Sequence, residues 1–173
     1  HNCLVGSEMC IRDSGMTIRT PMIEMTTIGA GGGSIAHIDS TGLLEIGPES
    51  AGSDPGPACY GFGNDRPTVT DANLVLGRID ANNPIGGKQK SLDYDAATRA
   101  VDNHIAKKLN LSIHDAAEAI IKVANAKMSG AIRLISIERG YDPKKFALMP
   151  FGGGGALHAG ALMKDIGLSA SIV

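Results

Sequence analysis

Aromatic residues and long apolar runs are scarce in this chain of 173 residues. Only 3% of the residues are aromatic, so the sequence offers no platform of rings on which nucleic-acid bases could stack. Lysines and arginines are scattered and the net charge is -2, which leaves no basic stripe to follow a phosphate backbone. No apolar run approaches the roughly 20 residues that a membrane-spanning helix needs. Neither a nucleic-acid partner nor a membrane partner is predicted.

Cysteine is also scarce, and two of the three cysteines, Cys3 and Cys10, lie near the start of the chain. Residues 1–14 lack periodicity and resemble translated sequencing-adaptor DNA, so we expect a non-native leader that packs on nothing. Without it only Cys59 remains, which excludes a disulfide and fits a reducing, cytoplasmic location. Cys59 has no nearby CxxC partner, so we expect a buried structural thiol.

Glycine, in contrast, is abundant. The 23 glycines gather mainly at 29–33, 42–63 and 152–155, where backbone conformation or close approach matters more than side chains. The composition otherwise fits one ordinary core, with 43% apolar residues. Function is therefore expected at the glycine clusters.

The first part of the native segment 16–173, residues 16–80, is predicted to form short strands and turns. Asp39 begins a hairpin turn between two β-leaning runs. A long loop over 47–67 follows, and its length suggests a ligand-facing role. Helix signals then restart at residues 68–79, with Thr70 or Asp71 as the cap.

The middle of the chain, residues 91–140, is predicted to be helical. Asp93 or Asp95 caps a first helix, and Ser112 with Asp115 resembles the capping box of a longer one. Gly140 would end that helix. Gly130 lies within it, which predicts a kink or a close packing partner.

Residues 144–173 are predicted to form a strand, a glycine loop, a helix and a second strand. The apolar run 146–149 predicts a strand buried on both faces, which implies a sheet covered by helices and an α/β fold. A turn over 152–155 leads into a helix over 156–165, which Gly167 closes.

The glycine loop after this strand is the strongest candidate for a binding site. It places bare N–H groups and a positive helix end at the carboxyl edge of a sheet, where nucleotides bind. No lysine followed by serine or threonine succeeds it, so it is not a P-loop. The alternative is a tight turn without a ligand. The candidate nucleotide-binding residues are Gly152, Gly153, Gly154, Gly155 and His158; for His158, a packed or solvated histidine is the simpler interpretation.

A second glycine cluster matches the dinucleotide pattern over residues 31–36, but a β-leaning run follows it where that fingerprint requires a helix. We therefore reject a dinucleotide site. Two interpretations remain open: a loop that faces a phosphate or substrate, or a glycine bulge beside a hairpin. The residues concerned are Gly31, Gly32, Gly33 and Ser34.

Two aspartates are the candidate catalytic residues. Asp54 lies in a stiff Asp-Pro-Gly turn, where it could bind magnesium, polarise a nucleophile or hold the loop by an Asx-type hydrogen bond. Asp71 is most simply a helix cap. No histidine spacing indicates a metal site, so the metal ligands stay unknown.

Several segments together resemble the hydantoinase A/oxoprolinase family. They are TIGAGGGSIA (27–36), GPESAGSDPGPACYG (47–61), PTVTDAN (67–73), ERGYDP (138–143) and FGGGGALHA (151–159). The resemblance runs from about residue 15 to the end and implies a C-terminal piece of such an enzyme. The implied fold is part of an actin-like ATPase domain, which is ribonuclease H-like, with a helical segment in the middle.

The implied activity is ATP-dependent hydrolysis of a cyclic amide such as a hydantoin or 5-oxoproline. ATP and magnesium are the implied cofactors, a B-type subunit or domain is the implied partner, and an oligomer is expected. By this resemblance, positioning and charge neutralisation carry most of the catalysis. This fragment alone is predicted to hydrolyse no ATP.

The chain departs from the family pattern in two ways. It has Gly152-Gly153-Gly154-Gly155-Ala156 where members commonly have Gly-Gly-Ala-Gly-Pro, and the loss of the proline could loosen the loop but leaves its donors. The family's acidic phosphate motifs, which lie upstream, are absent. Two other functions stay open: a subunit of an ATP-dependent ketone carboxylase, or a non-enzymatic actin-like nucleotide-binding module.

Overall fold

The computed structural model describes residues 26–84 and 90–172, together with the backbone of residues 8–13 and 16–21. Strands β1 (Glu8–Asp13) and β2 (Met16–Pro21) pair in antiparallel register. The expectation that residues 1–14 pack on nothing is therefore wrong for residues 8–13, while residues 1–7 and 14–15 lie outside the described part. A non-native origin for this leader stays a prediction.

A second antiparallel hairpin is formed by β3 (Ser34–Ile38) and β4 (Leu44–Ser50), which confirms the predicted strands and turn. Asp39 holds the turn, because its Oδ1 accepts hydrogen bonds from Thr41 N, Thr41 Oγ1 and Leu43 N. These bonds, the Thr41 hydroxyl first, lower the pKa of the Asp39 carboxyl. The pairing register shifts between Ser34 and Ala36, as in a bulge.

The middle of the chain is helical, as predicted. Its elements are α1 (Val69–Val75), α2 (Tyr94–Val101), a π-helical turn (Asp102–Ala106), α3 (Lys107–Leu109) and α4 (Ile113–Ile135). Asp93 caps α2 and Ser112 caps α4, each by accepting a backbone N–H. Thr68, not Thr70 or Asp71, is the N-cap of α1, and Asp71 is the third helical residue of a capping box.

The core lies where β3 and β4 meet α1, α2, the π-helical turn and α4. Its largest fully buried apolar side chains are Ile35, Ile46, Val69, Leu74, Val101, Ile105 and Ile120. The helix α4 contributes a stripe of buried residues at helical spacing, including Ala117, Ile120 and Ala124. This core fixes the hairpin against the helices, and with it the glycine turn that precedes β3.

The end of α4 differs from the sequence expectation. The helix ends at Ile135, and a separate 3-10 turn, Ile137–Arg139, carries the chain to Gly140, which closes it with a φ of 81°. A Cβ at Gly130 would meet nothing within 4 Å among the described residues. The predicted packing partner of Gly130 is therefore not present in the described part of the chain.

The last unit is a parallel strand–helix–strand motif, as predicted. Strands β5 (Ala147–Leu148) and β6 (Ala170–Ser171) pair in parallel and flank α5 (Gly152–Ile166), which Gly167 closes. Two details were wrong. The strand covers two residues and Met149 beside it is 51% exposed, because no second layer of the described chain covers it. Residues 152–155 form the first turn of α5, not a loop before it.

The described residues combine strands and helices in one mixed α/β arrangement, as predicted. No helix among them is both long and apolar enough to cross a membrane. The cellular compartment stays a prediction.

A candidate ligand cleft between two glycine walls

A cleft of about 220 Å³ lies between the turn before β3 and the start of α5. We call residues 31–34 the first glycine wall and residues 152–155 the second glycine wall. Gly32 and Gly33 line the cleft on one side, and Gly153, Gly154 and His158 line it on the other. The fold thus brings together the two glycine clusters that the sequence singled out. Whether they bind a ligand stays a prediction.

The first glycine wall is held by hydrogen bonds to its carbonyl oxygens. Gly31 O accepts from Ser34 N, Gly32 O from both Thr70 N and Thr70 Oγ1, and Gly33 O from Ala51 N. The amide N–H groups of Gly32 and Gly33 donate to no residue in the described ranges. Because its acceptors are occupied and these donors are not, this wall offers positive groups to a ligand.

Asp71 lies behind the first glycine wall, outside the lining of the cleft. It is fully buried, and its carboxylate accepts hydrogen bonds from Ala58 N, Cys59 N, Thr68 N and Thr68 Oγ1 at 2.8 to 3.1 Å. It therefore ties the 3-10 turn Ala58–Tyr60 to the start of α1. This geometry explains Asp71 as a structural brace, and its catalytic role has no support from its position.

Cys59 and Tyr60 occupy the turn that Asp71 braces. Cys59 is free and buried, as expected, and burial followed by the charge of Asp71 raises the pKa of its thiol, so it is not a ready nucleophile. Tyr60 lines the cleft. Burial, with smaller contributions from Cys59 and Asp71, raises the pKa of its phenol, so the hydroxyl stays protonated.

Asp54, the other candidate catalytic residue, is exposed and does not line the cleft. It precedes Pro55 across a cis peptide bond. Gly52, two residues earlier, is a cleft residue. The structure does not bring Asp54 together with the glycine walls, so its catalytic role stays a prediction.

The second glycine wall is an uncapped helix start. Phe151, at the N-cap, provides no side-chain hydrogen bond, so the first N–H groups of α5 have no partner within the helix. The positive end of the helix dipole lies at the same place. A Cβ at Gly152 or Gly154 would meet nothing within 4 Å among the described residues. The space beside these two glycines is therefore open.

His158 is packed, one turn into α5. It is 3% exposed, and its Nδ1 lies 2.6 Å from Asn125 Oδ1. Because an amide oxygen only accepts, Nδ1 carries the hydrogen and Nε2 of the neutral ring is an acceptor. Burial, followed by the charge of Arg78, lowers the pKa of His158 and favours that neutral form.

Sequence reasoning missed Asn73, which lines the cleft from α1. Asn73 is 2% exposed, its Nδ2 donates to Val69 O at 3.0 Å, and its Oδ1 has no partner in the described chain. The available signal was its position: a polar residue directly between the apolar Ala72 and Leu74 of α1.

The described residues do not fit a magnesium site. They contain no group of three or more histidine, cysteine, aspartate or glutamate side chains that could hold a metal ion. None of the residues lining the cleft carries a carboxylate, and carboxylates are the usual protein ligands of magnesium. Magnesium therefore stays a prediction that depends on groups beyond those described.

A comparison with protein-family models decides the family. The hydantoinase/oxoprolinase model matches residues 2–173. The chain belongs to the hydantoinase/oxoprolinase family. The match begins inside the predicted leader and includes both glycine walls.

Curated relatives of this hydantoinase/oxoprolinase chain include enzymes with different substrates. The caprolactamase subunit alpha of Pseudomonas jessenii is 49% identical over 87% of this chain and 21% of its own length. The 5-oxoprolinase of Saccharomyces cerevisiae is 37% identical over 92% of this chain and 13% of its own length. The chain thus spans about a fifth or less of these two relatives.

Two solved structures are similar to the fold. The ATP-dependent caprolactamase from Pseudomonas jessenii superposes with a TM-score of 0.81 at 49% identity, over 88% of this chain and 22% of that chain. A nucleotide-free acetone carboxylase superposes with a TM-score of 0.80 at 29% identity, over 94% of this chain and 23% of that chain. The arrangement of strands and helices described above therefore occurs in larger enzymes of this type.

Proposed function

We propose that this chain supplies two walls of the nucleotide cleft in an ATP-dependent cyclic-amide hydrolase with an actin-like, ribonuclease H-like fold. The observation that carries the proposal is the meeting of the two glycine walls across one cleft. Both walls have unpaired N–H donors, and one of them is a helix start. Unpaired donors at a helix N-terminus suit the phosphates of a nucleotide.

The remaining lining suits the rest of a nucleotide. Ile79, Leu92 and Leu157 supply apolar surface, while Asn73 and His158 supply polar groups. A pocket with mainly apolar walls and a few placed polar groups is the common form of a small-molecule site. This lining supports a nucleotide as the ligand, whereas it offers no carboxylate for magnesium.

Each residue has a role that follows from its chemistry. The N–H groups of both walls would hold and orient phosphate oxygens without a change in conformation, so charge stabilisation would cost no reorganisation free energy. Neutral His158 would accept a hydrogen bond through Nε2. When bound, ATP would supply a phosphoryl group to the amide oxygen, which converts a reluctant leaving oxygen into phosphate.

An ATP-dependent ketone carboxylase of the same family is the second candidate, and the similarity to acetone carboxylase favours it. The lactam hydrolase is preferred because the identity to caprolactamase, 49%, is higher than the identity to either carboxylase: 41% for the acetophenone carboxylase gamma subunit of Aromatoleum aromaticum and 29% for acetone carboxylase. The named relatives are all enzymes, which argues against a non-enzymatic module. As the subunit name of caprolactamase suggests, we expect a B-type partner subunit or domain and an oligomeric assembly.

The test uses the full-length subunit that carries this segment, together with its partner. We expect phosphate release that requires a cyclic amide such as caprolactam, 5-oxoproline or hydantoin. With amide labelled by ¹⁸O at the carbonyl, label should appear in the released phosphate. Release that requires a ketone and bicarbonate instead would establish the carboxylase. If neither set of substrates stimulates ATP turnover, both candidate functions are contradicted.

A further inference from the structure

We propose that Asn73 contributes to ligand specificity by accepting, through its side-chain oxygen, a hydrogen bond from a neutral N–H group bound in the cleft. This inference rests on the proposed function and assigns one of its specificity contacts. It starts from a single atom, Asn73 Oδ1, which is buried, lines the cleft through its residue and has no partner in the described chain.

The orientation of this side chain is fixed by chemistry. The amide of Asn73 has one end 3.0 Å from the carbonyl oxygen of Val69. Only the NH₂ end can donate to that oxygen, since an oxygen placed there would face another acceptor. The oxygen end must therefore be the unpaired one. The bond to Val69, one helical turn earlier, also holds the side chain in place.

Burial makes the missing partner significant. Asn73 is 2% exposed, and buried side-chain oxygens in folded proteins are nearly always hydrogen-bonded. A leucine at this position would fill a similar volume without an unpaired atom. An unpaired acceptor in a ligand cleft is explained if the ligand supplies the donor, because the group then discriminates strongly between ligands with and without that donor.

The charges of the cleft define the kind of donor. None of its lining residues carries a carboxylate, so nothing there would balance an ammonium group or a divalent cation. A neutral N–H fits. Two ligand groups of the proposed reaction have this chemistry: the exocyclic amine of adenine and the ring N–H of the cyclic amide.

The first measurement needs no variant. In the full-length subunit with its partner, calorimetry compares ATP with inosine triphosphate, whose base has an oxygen in place of the amine. Competition experiments compare the cyclic amide with its N-methyl form. We expect the unmodified ligand of one pair to bind about tenfold or more tightly, and that pair identifies the source of the donor. Equal binding within both pairs overturns the proposal.

The second measurement assigns the preference to Asn73. The Asn73→Leu variant should lose the preference within that pair while circular dichroism shows an unchanged fold. Ser129→Ala is the matched control, because Ser129 Oγ is also buried and unpaired but does not line the cleft. It should leave both preferences unchanged.

A preference that persists in folded Asn73→Leu overturns the proposal. Failure of the proposed function looks different: the wild-type subunit would bind no ATP and release no amide-dependent phosphate, whatever residue 73 is.

Discussion

The two glycine walls look alike in sequence, yet their glycines are required for different reasons. On the first wall, a Cβ at Gly32 would lie 3.0 Å from Thr70 Oγ1 and a Cβ at Gly33 would lie 3.0 Å from Ser50 Oγ. On the second wall, a Cβ at Gly154 would meet nothing within 4 Å in the described chain. Packing against the protein therefore explains Gly32 and Gly33 on the first wall. On the second wall it explains Gly155, where a Cβ would lie 3.3 Å from Pro150 Cβ, and the φ of +75° explains Gly152, but neither reason applies to Gly154.

The difference assigns separate tasks to the walls. The first is a rigid turn that the hairpin, Thr70 and the Asp71 brace hold in place. The second is a helix start with open space in front of it, where small residues keep the N–H donors approachable. Substitutions in and behind the first wall should therefore act mainly on stability, and substitutions in the second should act mainly on ligand affinity.

The largest expected effect is on the brace behind the first wall. Asp71→Ala removes the acceptor of the buried Ala58 N–H and Cys59 N–H, so we expect a loss of about 3–5 kcal/mol in the free energy of unfolding. Urea denaturation measures it. Asp71→Asn, which keeps one oxygen, should cost less. A folded Asp71→Asn enzyme that had lost all turnover would instead indicate a catalytic aspartate.

A smaller effect is expected within the first wall itself. Gly33→Ala brings a methyl group against Ser50 Oγ and near Gly52 O, so we expect a loss of about 1–3 kcal/mol from overpacking. Thermal unfolding measures it. Gly42 is unsuitable as a control because of its φ of +87°; Gly31, where a Cβ meets nothing, is the matched site. Equal losses at both sites would contradict the packing explanation.

The smallest effect sharpens the comparison from the side of the second wall. Burial lowers the pKa of His158 in the folded protein below its usual value of 6.5. Neutral His158 therefore makes its full contribution to the stability of the folded protein above about pH 6.5. That contribution is lost as the pH falls through the lowered folded pKa. The stability difference between wild type and His158→Gln should shrink from pH 7 to pH 5. A difference that is independent of pH would contradict the buried neutral ring.

Local signals explain why much of the fold was predictable. The hairpin turn at Asp39, the caps Asp93 and Ser112 and the buried stripe of α4 all follow from short-range chemistry and periodicity. The shortness of β5 was not predictable. The apolar run 146–149 does not show whether the elements that would cover a buried strand belong to this part of the chain. The start of α5, which places residues 152–155 inside the helix, was not predictable from the local sequence either.

The candidate site was predictable only in part. The glycine clusters were visible as composition, but their meeting across one cleft depends on tertiary contacts that no local pattern encodes. The brace role of Asp71 required knowledge of the turn Ala58–Tyr60 that folds against it. Asn73 was missed because an unpaired oxygen is a property of its surroundings, not of its neighbours in sequence.

The comparison between the walls is tested most directly by ATP calorimetry on the full-length subunit with Gly153→Val. Gly160→Val is the matched control, since Gly160 lies on the same helix, where a Cβ meets nothing within 4 Å of the described chain, but does not line the cleft. We expect Gly153→Val to weaken ATP binding by about tenfold, or about 1.4 kcal/mol, while circular dichroism shows an unchanged fold, and Gly160→Val to leave binding unchanged. Unchanged affinity in folded Gly153→Val would mean that the second glycine wall is only the start of a helix.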